Sequence, residues 1–88
     1  MSKRVLITGG NKGIGLAVSR AMLEFGYEII IVARDFDTCP LVGVEKVTCI
    51  EYDLSDVDSL PVLAKEVGNI DILINNAGYM QPKYTYNN

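Results

Sequence analysis

Eight consecutive residues, Thr8-Gly9-Gly10-Asn11-Lys12-Gly13-Ile14-Gly15, limit the fold of this chain more than any other stretch. The apolar run Val5-Leu6-Ile7 leads into them and a helical apolar stripe leaves them. Glycines at positions 9, 13 and 15 open backbone angles that other residues avoid. They also leave no Cβ between the main chain and a ligand. The helix that follows offers N–H groups and a positive dipole end, which suit a pyrophosphate. A glycine-rich turn with no ligand has the same composition. The order strand, turn, helix selects the nucleotide reading.

The spacing Thr-Gly-x-x-x-Gly-x-Gly departs from the commonest dinucleotide fingerprint, Gly-x-Gly-x-x-Gly. It resembles the cofactor-binding signature of the short-chain dehydrogenase/reductase family. That resemblance implies that Gly9, Gly10, Asn11, Lys12, Gly13, Ile14 and Gly15 cradle the cofactor.

The chain has 88 residues, one small domain's worth, 49% of them hydrophobic and 22% charged. That balance fits a packed core rather than disorder. A net charge of -3 argues against binding nucleic acid through its phosphates. No apolar run approaches a membrane span, and the apolar residues after Met1-Ser2-Lys3-Arg4 are too few for a secretory signal. Cys39 and Cys49 are not closely spaced and the chain has no histidine, so no metal site is expected and His-based triads are excluded. Both cysteines read as reduced thiols of a cytoplasmic protein, one of them in a strand.

Arg4 to Thr8 reads as a strand, apolar at consecutive positions and therefore buried on both faces. Ile14, Ala17, Val18, Ala21, Met22 and Phe25 share one face of a helix, with Ser19, Arg20 and Glu24 opposite and Gly26 placed to end it. Glu28 to Ala33 is a second buried strand rich in β-branched residues, completing a βαβ unit. The end of that strand faces the adenosine ribose in such folds: an acid there suits a free 2′-hydroxyl, a base a 2′-phosphate. Arg34 stands there, and Lys12 adds a second cation. In the family that the chain resembles, a basic residue at either place goes with NADP(H), so NADP(H) is expected over NAD(H). Asp35 is the competing ribose-binding acid, but it lies past the strand end and reads as the start of a turn.

Between Asp35 and Val44, Pro40 and Gly43 leave space for at most a short helical turn, where the family generally carries a longer helix. Lys46 to Glu51 alternates as a third, half-exposed strand. The resemblance assigns Asp53 to the adenine amino group and Leu54 to the side of the ring. Leu60, Leu63, Ala64 and Val67 form the stripe of the next helix. Pro61 is tolerated there if Asp58 is the N-cap, a later start than a Ser55–Asp58 capping pair would give. Asp71 to Ile74 is a fourth strand, running into Asn75-Asn76-Ala77-Gly78. This tetrapeptide is the second match to the short-chain family. There the small residues let the adenosine half of the cofactor lie against the strand end, while the asparagines tie neighbouring strands. Asn76, Ala77 and Gly78 are thereby candidate cofactor contacts.

The expected architecture is α/β: a Rossmann-like, three-layer half-domain over residues 1–88, with four parallel strands in the order 3-2-1-4 and an irregular tail at 79–88. The family's chemistry needs a Tyr-x-x-x-Lys pair and an upstream serine. Tyr79 and Lys83 have the spacing, but Pro82 opposes the helix that would align them. No catalytic residue is therefore assigned. Three readings follow: the cofactor half of a reductase, inactive alone; a free-standing NADP(H)-binding module; or an interaction module completed by a partner chain. The strand 71–75 edge, flanked by Ile72, Leu73 and Ile74, is expected to pair in a homodimer or with a partner.

Overall fold

The computed structural model describes residues 3–53 and 56–76. The elements are β1 (Arg4–Thr8), α1 (Gly13–Glu24), β2 (Glu28–Ala33), β3 (Val47–Glu51), a 3₁₀ turn (Val57–Ser59), α2 (Leu60–Val67) and β4 (Ile72–Asn75). All neighbouring strands are parallel, in the order β3-β2-β1-β4. This is the topology expected from the sequence. The chain winds outward from β1 through β2 to β3, then returns to place β4 on the other side of β1. The resulting switch point lies at the carboxyl ends of β1 and β4.

The continuous apolar runs explain the centre of the sheet. Val5, Ile7, Ile29 and Ile31 point to the α1 face and are fully buried. Ile30 and Val32 point to the opposite face, where they meet Leu63 and Val67 of α2. Each such side chain contributes about 1.5–3 kcal/mol through burial. The second face is covered less completely. Leu6 is half-buried, and an apolar groove of about 360 Å³ runs between α2 and the sheet. Leu60 and Ala64 line that groove without being buried, so only half of the expected α2 stripe packs as core. The N-cap of α2 is Ser59 rather than Asp58, because the 3₁₀ turn takes up Val57–Ser59 first. Ser59 Oγ is turned back to Asp56 Oδ2 at 3.0 Å and makes no capping bond. Pro61 lies in the first turn, where its missing N–H is harmless.

The orientation of α1 corrects the sequence reading. Its buried residues are Gly15 and Ser19; Val18 and Met22, as expected, and Leu16 and Leu23 are partly buried against the sheet core. Ile14 and Phe25 are 77% and 78% exposed, and Ala17 and Ala21 face solvent too. A stripe of larger apolar side chains would hold the helix away from the glycine turn. The narrow side, Gly15 and Ser19, is what allows the helix to press on it. Gly26 follows the Phe25 C-cap with φ +94°, ending the helix as expected.

The segment between β2 and β3 contains turns and no helix, as Pro40 and Gly43 require. It still supplies core: Cys39 and Leu41 are buried against the α1 face of the sheet, with Phe36 and Val44 beside them. β3 begins at Val47 because Lys46 has φ +74°, outside strand geometry, while its Nζ donates to Gly26 O at 3.0 Å. At the amino end of the sheet, the Arg4 N–H donates to Asp71 Oδ2 and the Asp71 N–H to Arg4 O, both at 2.8 Å. Arg4 Nη1 also donates to the carbonyls of Val67 and Asn69.

Candidate functional site

The carboxyl ends of β1 and β4 are joined by side chains. Thr8 and Asn75 are register partners, and Thr8 Oγ1 donates to Asn75 Oδ1 at 2.9 Å. The same hydroxyl accepts from the Asn76 N–H at 2.8 Å, and Asn76 Nδ2 donates to Gly9 O at 3.2 Å. Gly9 in turn donates its N–H to Val32 O at 2.8 Å. The glycine turn is therefore held from β4 on one side and from β2 on the other. Thr8 and Asn75 stand outside the set of cofactor contacts chosen from the sequence, although both lie within the two motifs. The signal was their position as the last residues of adjacent parallel strands.

Gly9 and Gly13 have φ +69° and +61°, the left-handed region that favours glycine. Gly15 is required for a different reason. A Cβ on it would collide with Gly9 O and Asn76 Nδ2. Ser19, one turn along α1, is fully buried, and its Oγ lies 2.9 Å from Gly15 O and 3.3 Å from Gly10 O. Helix, turn and β4 end thus meet at one point. The N-cap of α1 is Lys12, in extended geometry and without a side-chain capping bond, and no acidic residue stands in the first turn. A helix end of this kind accommodates an anion.

The other sequence-predicted residues surround this point at different distances. Asn11 is buried, and its Nδ2 donates to Asp35 O at 2.9 Å. Lys12, Gly13 and Ile14 are exposed on the outside of the turn. Arg34 and Asp35 are exposed where β2 ends. Asp53 follows β3, is exposed, and accepts the Asp56 N–H on its carbonyl at 2.9 Å. Leu54, Ala77, Gly78, the Tyr79–Lys83 pair and the 79–88 tail lie outside the described residues.

Two groups near this end titrate away from their ordinary values. Partial burial, aided by Cys39, pushes the Cys49 thiol up. Desolvation, with Asp56, Asp53 and Asp58 around it, raises the Tyr52 phenol, whose hydroxyl donates to Asp56 O. Both cysteines are free thiols. Among the described residues no cluster of His, Cys, Asp and Glu is arranged to hold a metal ion, and no helix is long and apolar enough to cross a membrane.

Comparison with known proteins agrees with this geometry. An uncharacterised oxidoreductase of Schizosaccharomyces pombe is 40% identical over 79 residues, which cover 85% of this chain and 27% of that protein. Human carbonyl reductase [NADPH] 1 is 36% identical over 85 residues, covering 83% of this chain and 30% of the reductase. Among solved structures, ElxO with NADP bound superposes with a TM-score of 0.71 at 32% identity, over 92% of this chain and 37% of that one. WbmG of Bordetella bronchiseptica in complex with NAD gives 0.72 at 25% identity, over 96% of this chain and 28% of that one. The chain spans about a third or less of the length of these curated relatives. The family model for short chain dehydrogenases matches residues 3–87, and the chain belongs to that family.

Proposed function

We propose that residues 1–88 form the NADP(H)-binding half of a short-chain dehydrogenase/reductase-type oxidoreductase, without catalytic turnover of their own. The observation that carries this reading is the joint between Thr8, Gly9, Asn75, Asn76 and Gly15. It holds a glycine turn and an uncapped helix end at the switch point of the sheet. A pyrophosphate fits the turn, with the adenosine half directed toward the ends of β2 and β3. Arg34 and Lys12 then supply positive charge for a 2′-phosphate, while Asp53 and Leu54 are assigned to the adenine and Asn76, Ala77 and Gly78 to the adenosine half. The NADP-bound ElxO supports a dinucleotide of this kind, and the NAD-bound WbmG makes the choice between the two a matter for experiment.

A charge-assisted contact to phosphate is worth about 1.5–3 kcal/mol, so Arg34→Ala should weaken NADPH binding about tenfold or more while leaving NADH nearly unchanged. Titrating both proteins with both nucleotides tests this, and equal affinity of the wild type for NADH and NADPH would overturn the NADP(H) assignment.

A second reading, assembly with a partner, is favoured by one observation. Among the described residues β4 is the outer strand of the sheet, and its Leu73 is 60% exposed. We propose that its outer edge pairs antiparallel with the same edge of a second copy, about a two-fold axis. Leu73→Lys should then shift the sedimentation of the protein from dimer to monomer. A wild type that stays monomeric at high concentration refutes the pairing. The setting consistent with two free thiols is the cytoplasm.

A further inference from the structure

We propose that Asn11 is a specificity-positioning residue: its buried side chain sets where β2 leaves the sheet, and thereby where Arg34 stands relative to the phosphate turn. This rests on the NADP(H) reading above and deepens it. Asn11 is only 7% exposed although it sits in a turn, and the buried group is a polar carboxamide. Burial of that kind requires a partner. The partner is Asp35 O, reached by Nδ2 at 2.9 Å across 24 residues of sequence.

Three carbonyls at the end of β2 are tied in succession. Val32 O accepts from the Gly9 N–H and Ala33 O from the Tyr52 N–H, each at 2.8 Å, and Asp35 O accepts from Asn11. The first two are main-chain bonds that continue the sheet. The third is made by a side chain, and it lies beyond Arg34. It fixes the Asp35–Phe36 peptide, one residue past Arg34, to the turn that carries Lys12. The two cations are thus held in a set relation by one carboxamide.

The consequence differs between nucleotides. NADH has no 2′-phosphate and is indifferent to where Arg34 stands. NADPH presents a phosphate whose charge-assisted bonds depend steeply on distance and angle. Loss of the carboxamide leaves the main-chain ties of the turn in place, so the pyrophosphate site that both nucleotides share is retained. Asn11→Ala should therefore lower NADPH affinity about five- to tenfold, less than the loss of a whole charged hydrogen bond because Arg34 is displaced rather than removed, and NADH affinity less than about twofold.

The test is a set of calorimetric titrations of wild type, Asn11→Ala, Asn11→Ser, Arg34→Ala and the double variant Asn11→Ala/Arg34→Ala with NADPH and NADH. The milder Asn11→Ser shortens the side chain without emptying the site, and should flatten the NADPH-to-NADH ratio as the alanine does. In the Arg34→Ala background, removal of Asn11 should change the ratio no further, the signature of two residues acting through one contact. If Asn11→Ala and Asn11→Ser weaken both nucleotides equally, or leave the ratio intact while Arg34→Ala abolishes it, the positioning role is overturned and the NADP(H) reading stands. If the wild type itself does not discriminate, the NADP(H) reading fails and this inference falls with it.

Discussion

Replacing Gly15 by alanine tests the joint on which the site depends. In an ordinary helix that substitution stabilises by about 0.5–1 kcal/mol, since alanine loses less conformational freedom on folding. Here the added methyl would collide with Gly9 O and with Asn76 Nδ2. One of these is main chain held by the Gly9–Val32 bond, so it cannot rotate away. Overpacking of this kind costs about 1–3 kcal/mol. Displacing the Asn76 carboxamide from Gly9 removes a further 0.5–1.5 kcal/mol, roughly. Set against the propensity gain, the net loss is about 0.5–4 kcal/mol. For a domain of this size each kcal/mol moves the midpoint by about 4–8 °C, so Gly15→Ala should melt about 2–30 °C lower by circular dichroism. Gly13→Ala is the internal comparison: a Cβ there meets nothing within 4 Å, and only the φ of +61° resists it. That strain amounts to about 1–2 kcal/mol without any shift of β4. The decisive difference is at the nucleotide site, where Gly15→Ala should also weaken NADPH and NADH alike. A Gly15→Ala protein as stable as wild type, with unchanged affinity, would refute the close-approach argument.

Three further outcomes are expected. Thr8→Val removes a hydroxyl that donates to Asn75 and accepts from Asn76, and should cost about 1–3 kcal/mol in urea unfolding, whereas Thr8→Ser should retain most of the stability. Burial, then Cys39, raises the Cys49 thiol, so between its ordinary pKa and the elevated one the unfolded chain loses a proton that the folded chain keeps. Stability should fall as pH rises through that window. Iodoacetamide labelling of Cys49 should show a midpoint above the ordinary thiol value, and a midpoint at or below that value contradicts the burial. Finally, the 88-residue protein should oxidise no NADPH with carbonyl substrates. Steady turnover that is lost in Tyr79→Phe would make the Tyr79–Lys83 pair catalytic after all.

Strands and their order were legible because Val5-Leu6-Ile7, Ile29 to Val32 and Ile72 to Ile74 are apolar without interruption, a pattern that central parallel strands produce. The turn after β1 was legible from its glycines, and the joint to β4 from the pair of asparagines. The inward face of α1 was not. Hydrophobic periodicity selects the largest apolar side chains, whereas the approach of this helix to the turn needs the smallest, so Gly15 and Ser19 took the place assigned to Ile14 and Phe25. The segment after β2 hid its contribution in the same way. Pro40 and Gly43 ruled out a helix, yet nothing in the local pattern marks Cys39 and Leu41 as core, because their burial depends on the sheet face beneath them. Asn11 was picked as a cofactor contact, and its bond to Asp35, 24 residues away, is a tertiary fact that no local spacing encodes.

The tie between Thr8 and Asn75 has a temporal consequence. The two residues are 67 apart in sequence, as are Gly9 and Asn76, while β1 and β2 pair across a single short crossover. As the chain emerges during synthesis, β1, α1 and β2 can associate early, because the loop to be closed is small. At that stage the Thr8 hydroxyl and the Gly9 carbonyl have yet to meet their partners on β4. The cradle is completed only when residues 67–76 dock, with Arg4 receiving Asp71 at one end and Thr8 receiving Asn75 at the other. A nucleotide that needs the finished cradle binds the state in which β4 is docked, and by mass action holds it there. Ligand in the surrounding solution thereby acts on the docking of β4, and would protect that strand from proteolysis once it has docked.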